Sequence, residues 1–365
     1  MKAEAFEMLR PAADVADAKD AKGSAPLVRE MGDADRARWD SFVMAAPEAT
    51  FFHRAAWREV IERAFGHRTL FLYAEREGRI CGVLPLARVK SLLFGDALIS
   101  LPFCVYGGVV AADDDARDAL LDAAEARAVE FGVGHLECRN LSSQRARWAT
   151  QDLYVTFRKA LSPDAEANML AIPRKQRAMV RKGIKAGLVS SYDDDVERFF
   201  ALYADNVHRH GTPAQSKRYF ALLRDIFGDD CKVLTVTTHG RAVSSVLSFH
   251  FRNEVLPYYA GDAVVARDTA ANDFKYWELM RRAGEEGSTL FDYGRSKIGT
   301  GPYDFKRNWG FTPQALAYEY RLVRADSVPE NNPLNPKYRA FIALWRRMPL
   351  ALANRIGPML ARSLG

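Results

Sequence analysis

The sequence predicts an α/β protein made of two tandem copies of one mixed-sheet unit, followed by a basic helical tail. The chain has 365 residues, a length that suggests two domains. Two dipeptides recur after the same interval of 162 residues, Phe65-Gly66 as Phe227-Gly228 and Gly78-Arg79 as Gly240-Arg241. A duplication of this kind constrains the fold more strongly than local propensity does.

The segments around these dipeptides repeat in the same order. In each copy a helical segment ends at Phe-Gly (WREVIERAFG, YFALLRDIFG), and a strand, a glycine turn and a second strand follow. A helix and a strand come next, and each half closes on one more strand, LYVTFRKAL or LAYEYRLV. This order is typical of the GNAT-like (acyl-CoA N-acyltransferase-like) mixed-sheet unit. We expect a disordered lead-in over 1–25, GNAT-like domains over 26–161 and 162–325, and a basic amphipathic tail over 326–365.

The net charge of +6 resides in the tail. No acid follows Glu330, and the tail carries six cations: Lys337, Arg339, Arg346, Arg347, Arg355 and Arg362. The rest of the chain is close to neutral, which argues against a basic nucleic-acid-binding surface spread over the whole protein. Arginines interleaved with apolar residues are typical of a helix lying on an anionic membrane surface, and docking of the tail on the protein's own core is the open alternative.

The remaining composition excludes several classes of protein. The four cysteines are far apart and form no CxxC pair, which favours a reducing compartment. No apolar run is long enough to span a membrane, and the first residues include acids where a signal peptide needs an apolar stretch. We expect a cytoplasmic protein, with peripheral contact at the inner face of the plasma membrane through 331–365 left open. His208 and His210 lack further ligands nearby, so no metal is expected.

The run GRSKIGTGPYDFKRNWGF, residues 294–311, is the strongest candidate site. Its glycines would let backbone amides converge on an anion, although a plain strand-to-helix turn is the alternative. Arg295 and Lys297 add positive potential, and Asp292 and Asp304 are candidates for steering the attacking amine, accepting its proton or bracing the loop. The turn itself is formed by Gly299, Thr300 and Gly301.

A second cluster is the acid-free segment IPRKQRAMVRKGIKAGL. On a helix Arg177, Arg181 and Lys185 recur every four residues and form a basic stripe suited to phosphates, with a solvated surface as the alternative. Tyr258 and Tyr259 point to opposite faces of a strand, and we expect Tyr259 to line the cleft. The first-half segment SLPFCVYGG, with Pro102, Tyr106, Gly107 and Gly108, should lie at the groove between the domains, unless it is a structural β-bulge.

Over residues 28–325 these motifs resemble the FemAB-like transferases, and FDYGRSKIGTGPYDFKRNWGF is the most specific of them. Within that family the chain looks most like the branch associated with exosortase (PEP-CTERM) and exopolysaccharide loci. The resemblance implies tandem GNAT-like domains and transfer of an aminoacyl group from aminoacyl-tRNA to an amine of a peptidoglycan precursor. It also implies that no metal and no covalent enzyme intermediate are used.

The resemblance also assigns roles to residues. Phe305 and Lys306 match a Phe-Lys pair in the family's active-site channel, where the lysine meets the donor's 3′ end or the charge of the tetrahedral intermediate. With Asp304 they are the predicted catalytic residues. The predicted substrate contacts are Arg295, Lys297, Gly299, Thr300, Gly301, Tyr259, Tyr106 and, toward a tRNA phosphate or a precursor pyrophosphate, Arg174, Lys175 and Arg181.

Two other functions stay open. An acyl-CoA-dependent N-acyltransferase would use the same fold, but its usual pyrophosphate loop is not evident where VVARDTAAND precedes a helix. A non-catalytic scaffold of an envelope assembly complex is the other alternative. No cofactor is expected beyond the acyl donor, aminoacyl-tRNA or acyl-CoA, and the acceptor would be a cell-envelope or exopolysaccharide precursor, lipid-linked or free.

Overall fold

The computed structural model of the protein describes residues 24–91, 95–329 and 336–363. The lead-in predicted over 1–25 therefore lies almost entirely outside the described residues. The helices, numbered in chain order, are α1 Arg36–Ala45, α2 Trp57–Phe65, α3 Asp114–Phe131, α4 Ala165–Ala171, α5 Arg174–Lys185, α6 Glu197–His210, α7 Lys217–Phe227, α8 Ala266–Thr269, α9 Ala271–Glu285, α10 Gly301–Asn308, α11 Pro336–Arg347 and α12 Leu350–Ala361.

The strands form two mixed sheets. They are β1 Leu27–Glu30, β2 Arg68–Arg76, β3 Arg79–Ser91, β4 Gly95–Ser100, β5 Val110–Ala111, β6 His135–Asn140, β7 Ala149–Gln151, β8 Tyr154–Ala160, β9 Val189–Asp193, β10 Cys231–Thr238, β11 Arg241–Phe251, β12 Glu254–Asp262, β13 Leu290–Asp292, β14 Ser296–Lys297, β15 Pro313–Ala315 and β16 Ala317–Leu322. The first sheet runs β1-β2-β3-β4-β6-β16-β7, with β5 on β3. The second runs β14-β8-β13-β12-β11-β10-β9, with β15 on β8.

The repeat seen in the sequence is a repeat of structure. β1 to β4 and β6 occupy the same relative positions in the first sheet as β9 to β13 in the second, and β4–β6 and β12–β13 are the parallel pairs. The repeated glycines at 78 and 240 end two-residue hairpin turns, in which both central residues have positive φ: 52° and 77° in one, 47° and 74° in the other. Such turns favour glycine at the second central position, so the recurring dipeptide marks the same hairpin twice.

The closing strands are exchanged between the units, contrary to the sequence expectation. β8, expected to complete the first half, pairs antiparallel with β13 in the second sheet, and Leu290 faces Ala160. β16, expected to complete the second half, pairs with β6 in the first sheet, from Ala317 opposite Asn140 to Leu322 opposite His135. Each closing strand therefore completes the sheet of the other unit, and the domain limits at 161/162 and 325/326 stay a prediction.

A shared core fixes the two units to each other. Phe51 from the first unit stacks on Phe249 from the second at 4.4 Å between ring centroids, and both belong to one buried cluster. Arg54 and Asp230 form an ion pair at 2.6 Å across the boundary between the two units, which we call the seam. Arg252 donates to the carbonyl oxygens of Ala46, at 2.9 Å, and Ala49. A ligand site between the units is therefore built on a rigid frame.

The tail docks on the protein's own core. Ala353, Gly357 and Ala361, spaced four residues apart, form the buried side of α12, where a methyl group on Gly357 would come within 3.1 Å of the Ala214 carbonyl oxygen. A ring nitrogen of His67 in the first unit lies 2.7 Å from the carbonyl oxygen of Arg362. The opposite side of the tail remains exposed. None of the described helices combines the length and the apolar character needed to cross a bilayer.

Candidate active site

The second sheet opens where its two parallel strands separate. β12 and β13 pair only at Glu254 with Leu290 and at Val255 with Phe291, and β12 then continues to Asp262 paired only with β11. A β-bulge in the β11–β12 pairing skips Tyr258, because Leu247 faces Tyr259 and Ser248 faces Pro257. A bulged residue is left out of the regular ladder, so Tyr258 has no cross-strand partner on β11.

Lys306 lies behind the opposite edge of this opening and is 9% exposed. Its ammonium donates to three successive carbonyl oxygens: Tyr293 at 2.7 Å, Gly294 at 3.0 Å and Arg295 at 3.0 Å. Burial lowers the pKa of Lys306 to about 7, against the opposing influence of the Asp292 carboxylate. All three ammonium protons are thus engaged in holding the backbone that follows β13.

Asp292 connects the two units below the opening. Its carboxylate accepts hydrogen bonds from the Tyr106 hydroxyl at 2.9 Å and the Gly294 amide at 2.7 Å, and it pairs with Arg158 at 3.2 Å. The Tyr106 hydroxyl also bonds to that of Thr156. Burial raises the pKa of Asp292, while the positive charge of Arg158 acts in the opposite direction. With its oxygens engaged in this way, Asp292 braces the junction.

The other predicted residues of the run 294–311, which we call the lip, lie along the same loop. The Arg295 guanidinium lies over the Tyr154 ring at 4.5 Å and donates to the Tyr318 hydroxyl at 3.2 Å. Lys297 ends β14 and is half-buried, and its carbonyl oxygen accepts from the Thr300 hydroxyl at 2.7 Å. Gly299 has a φ of +77°, which favours glycine, whereas Gly301 opens α10 with free space around it. This geometry fits a strand-to-helix turn, and an anion cradle there stays a prediction.

The three predicted catalytic residues do not converge. Asp304 is exposed in the first turn of α10 and forms no ion pair with Lys306. Phe305 packs among aromatic rings of the second core, with Tyr276 at 5.7 Å and Trp309 at 5.9 Å. Only Lys306 reaches the loop that borders the opening.

The two adjacent tyrosines of β12 face different surroundings. The Tyr259 hydroxyl lies 3.1 Å from that of Tyr219, and its ring packs against Phe220. The Tyr258 hydroxyl donates to the Phe103 carbonyl oxygen at 3.0 Å, across the seam between the units. The structure thus places Tyr258 against the first-unit segment SLPFCVYGG and Tyr259 toward α7.

The basic helix α5 lies beside this site. Val180 and Gly183 are its buried residues, and a methyl group on Gly183 would approach Phe274 of α9 to 2.8 Å. Pro173, which precedes α5, packs on Gly310 just beyond α10: a methyl group on Gly310 would be 3.1 Å from its ring. Within the described part of the chain, six α5 cations have no ion pair or side-chain hydrogen bond: Arg174, Lys175, Arg177, Arg181, Lys182 and Lys185.

A cavity of about 280 Å³ lies in the first unit, at the carboxyl end of β6. Tyr106 and Gly108 form part of its wall, and Gly108 has no room for a side chain because a methyl group would overlap the Asn140 amide. Buried Glu319 of β16 orders the adjoining loop, accepting from the Asn140 side chain at 2.6 Å and the Arg145 amide at 2.9 Å. Sequence reasoning missed Glu319, although an acid within a buried strand was an available signal.

Charged side chains surround the amino-terminal end of α9. Fully buried Lys275 pairs with Asp262 at 2.9 Å, and Asp262 also accepts from the Ser244 hydroxyl. Asp273, in the first turn of α9, accepts from the Trp309 indole at 3.0 Å, and burial raises its pKa. A phosphate at this helix N-terminus would lie close to the Asp262 and Asp273 carboxylates, whose charge is unfavourable for an anion. Among the described residues, no group of three or more His, Cys, Asp or Glu side chains is arranged to hold a metal ion.

Part of the second unit matches a known family at the sequence level. Residues 172–307 match the family described as an acetyltransferase (GNAT) domain, and this match identifies an acyltransferase domain in the segment that contains α5, the opening and Lys306. A search of curated proteins finds no match.

Several solved structures share the fold. FemX superposes with a TM-score of 0.65 at 15% identity, covering 82% of this chain and 98% of FemX. The C-terminal domain of a candidate lysylphosphatidylglycerol synthetase from Agrobacterium fabrum gives 0.53 at 14% identity, covering 85% and 94%. A tandem GNAT protein from the clavulanic acid biosynthesis pathway gives 0.52 at 13% identity, covering 83% and 100%. These likenesses and the two mixed sheets confirm the predicted fold of two tandem GNAT-like units, and α11 and α12 form the helical tail.

Proposed function

We propose that the protein transfers an aminoacyl group from aminoacyl-tRNA to an amine of a cell-envelope or exopolysaccharide precursor. The observation that carries this proposal is the unpaired basic helix α5 beside the opening of the second unit. Arginines on α1, α2 and α3 have carboxylate partners, whereas the six cations of α5 have none among the described residues. A helix face that keeps its cations unpaired suits a ligand with many phosphates, and tRNA is such a ligand.

The position of α5 supports a donor that reaches from the surface into the opening. Pro173 lies against Gly310, so the amino end of α5 adjoins the end of the helix that carries Lys306. A tRNA held along α5 would bring its acylated 3′ end toward this edge. The cavity beyond Tyr106 is our candidate for the acceptor, since Tyr106 both lines it and contacts Asp292.

The chemistry is displacement at an ester carbonyl. The acceptor nitrogen attacks the carbonyl carbon, a C–N bond forms, the C–O bond to the ribose breaks, and the amine proton ends on the leaving ribose oxygen. Negative charge develops on the carbonyl oxygen, and we assign the Tyr258 backbone amide as its hydrogen-bond donor because the bulge leaves that residue unpaired. Lys306 acts first as a positioning residue that holds Tyr293 to Arg295, and direct catalysis by Lys306, Phe305 or Asp304 stays a prediction.

The acceptor class follows from the FemAB-like resemblance together with the likeness to FemX. A peptidoglycan precursor or an exopolysaccharide precursor would supply the amine, and membership of the exosortase (PEP-CTERM) branch is part of the same proposal. If the acceptor is linked to a lipid, the enzyme must work at the inner face of the plasma membrane. The tail over 331–365 would then supply the peripheral contact.

The main alternative, an acyl-CoA-dependent N-acyltransferase, is favoured by the GNAT match over 172–307. The carboxylates of Asp262 and Asp273 at the start of α9 oppose it in the second unit, because they would repel a pyrophosphate placed at this helix N-terminus. A non-catalytic scaffold of an envelope complex would need neither donor.

The α5 assignment is tested by tRNA binding. The variant R177Q/R181Q/K185Q removes the stripe without touching a buried residue, and R63Q/R127Q/K217Q removes as many cations from ion pairs elsewhere on the surface. We expect the α5 variant to bind charged tRNA about tenfold or more weakly and to lower the salt slope by about 2 to 3, because each lost phosphate contact removes part of the counterion release. Equal losses in the two variants would contradict a specific role for α5.

A further inference from the structure

The three most exposed large apolar side chains of the described residues lie in the tail and in a loop that adjoins it. Met359 is 69% exposed, Leu344 is 67% exposed and Val264 is 65% exposed. The first two belong to the tail and the third to the loop that follows β12, with Val265 beside it at 47%. Exposure of this degree at several neighbouring apolar positions marks an interaction surface.

These two parts of the chain meet at the last turn of α6. Arg209 donates to the carbonyl oxygen of Asp262, at the start of the loop with Val264. A methyl group on Gly211, just beyond α6, would come within 2.5 Å of Ile342 of α11. Arg346 donates to the His210 carbonyl oxygen at 3.3 Å. The loop and the tail are therefore adjacent, although about 80 residues separate them in sequence.

The exposed side of the tail is also cationic. Arg346, Arg347, Arg355 and Arg362 are exposed, and the described tail residues 336–363 include no acid. Arg355 and Met359 lie one turn apart on α12, opposite the buried stripe that begins at Ala353. Packing on α6 thus uses the small residues and leaves the arginines and the large apolar side chains outward.

We infer that this surface, formed by α11, α12 and the 263–265 loop, docks the protein on an anionic lipid bilayer. Arginines attract acidic headgroups while Leu344, Met359 and Val264 enter the interface, the combination found in peripheral membrane helices. A second copy of the chain fits less well, because a two-fold contact across this surface would bring the same arginines together.

Docking through this surface holds the opening in a fixed place near the membrane. α6 lies directly on β12: a methyl group on Gly261 would approach the backbone nitrogen of Tyr203 to 2.3 Å. The docking surface packs on α6, and the Tyr258 bulge lies in β12. The contact between α6 and β12 therefore connects the two. An amine on a lipid-linked acceptor could then enter without leaving the bilayer, whichever acyl donor the enzyme uses.

The test is sedimentation of the full-length protein with vesicles of phosphatidylcholine alone or mixed with phosphatidylglycerol. We expect binding to the mixed vesicles that weakens with salt, and little binding to phosphatidylcholine alone. The variant L344E/M359E should bind about tenfold or more weakly, because it removes two insertions and adds two repelling charges. Val129→Glu changes an apolar residue on α3 that is 55% exposed, and it should bind like the native chain.

A second variant, R347Q/R355Q/R362Q, removes charge from exposed side chains while it keeps the Arg346 contact to α6, and it should bind more weakly by about fivefold for each arginine. The inference is overturned if the native chain fails to sediment with the mixed vesicles, or if Val129→Glu loses as much binding as L344E/M359E. Concentration-dependent dimerisation that L344E/M359E abolishes, without vesicle binding, would also overturn it. Binding of tRNA to these variants should stay unchanged, so the docking surface and the proposed donor can fail separately.

Discussion

The ammonium of Lys306 donates to three successive carbonyl oxygens, and this use of its protons defines the part that it plays. The Phe-Lys resemblance led us to expect contact with the donor. In the structure the same lysine ties Tyr293, Gly294 and Arg295 into the edge of the opening. Loss of a side chain that shapes the loop should lower the stability of the fold, whereas loss of one that only contacts the substrate should leave it unchanged.

Replacing Lys306 by Met should both weaken transfer and loosen the loop. Three buried carbonyl oxygens lose their donor, so we expect the free energy of unfolding to fall by about 1 to 3 kcal/mol and turnover by about 100-fold. Hydrogen exchange at 293–296 and initial rates would measure the two effects. Arg307→Met, at the next and exposed position of α10, is the matched control and should change neither. Native turnover by Lys306→Met would contradict any role at the site.

His53 predicts how stability depends on pH. Its Nδ1 accepts from the Thr50 amide at 3.0 Å and its Nε2 lies 3.0 Å from the Gly108 carbonyl oxygen, contacts that suit the neutral ring. Burial lowers the pKa of His53 to about 4. In the unfolded chain the His53 ring takes up a proton near pH 6.5, whereas in the folded chain it does so only near pH 4. The free energy of unfolding therefore falls by up to about 3 kcal/mol, because of this residue, as the pH falls from 6.5 to 4.

Denaturant titrations at several pH values would measure this loss. His53→Gln should show a smaller decline between pH 6.5 and 4 than the native chain, and His239→Asn, at an exposed turn, should leave the decline as it is. Buried His250, whose pKa is also lowered to about 4, should keep part of the decline in both variants. If the free energy of unfolding depends on pH in the same way in the native chain and in His53→Gln, then His53 does not cause the loss of stability at acid pH.

Local composition predicted the glycine-rich lip but not its contacts. Gly299 and Arg295 belong to a run whose residue types are distinctive on their own. The unpaired position of Tyr258 depends on a register shift against β11, and the contacts of Glu319 depend on a loop almost 180 residues away in sequence. Such long-range pairings leave little trace in a single sequence, because any residue with the right polarity could make them.

At the scale of elements, the exchange of β8 and β16 could not be predicted from the sequence, because it too depends on long-range pairing. Both strands are short and mainly apolar with similar alternation, and each runs antiparallel to the neighbour that it meets. Either partner would bury the same faces, so the pattern predicts a strand and leaves its sheet undetermined. The repeat predicted the order of the other elements well because that order is local.

The exchange predicts that the first half does not fold by itself. A fragment of residues 26–161 lacks β16, which leaves one edge of β6 unpaired and Glu319 absent. We expect it to be largely unfolded or aggregated by circular dichroism. The same fragment with residues 313–325 joined through a flexible linker should regain a cooperative thermal transition. A cooperative transition of similar midpoint in the bare fragment would contradict the exchange.

At the scale of the whole molecule, one frame carries an opening, a cavity and two basic surfaces. The shared aromatic core and the exchanged strands fix the two units, so the Tyr106 side of the first unit meets Asp292 of the second at a constant geometry. The unpaired cations of α5 lie beside the lip, and the docked tail presents its arginines on another face. In our two proposals, the first of these basic surfaces holds a phosphate-rich donor and the second contacts a membrane.

The central claim, that the donor is aminoacyl-tRNA, is tested most directly by titrating the full-length protein with charged tRNA and with acetyl-CoA at the same ionic strength in a calorimeter. The account predicts saturable binding of charged tRNA that weakens steeply with salt, with uncharged tRNA weaker and no measurable heat from acetyl-CoA. Stoichiometric binding of acetyl-CoA, with charged and uncharged tRNA bound equally weakly, would contradict it and favour the acyl-CoA-dependent enzyme.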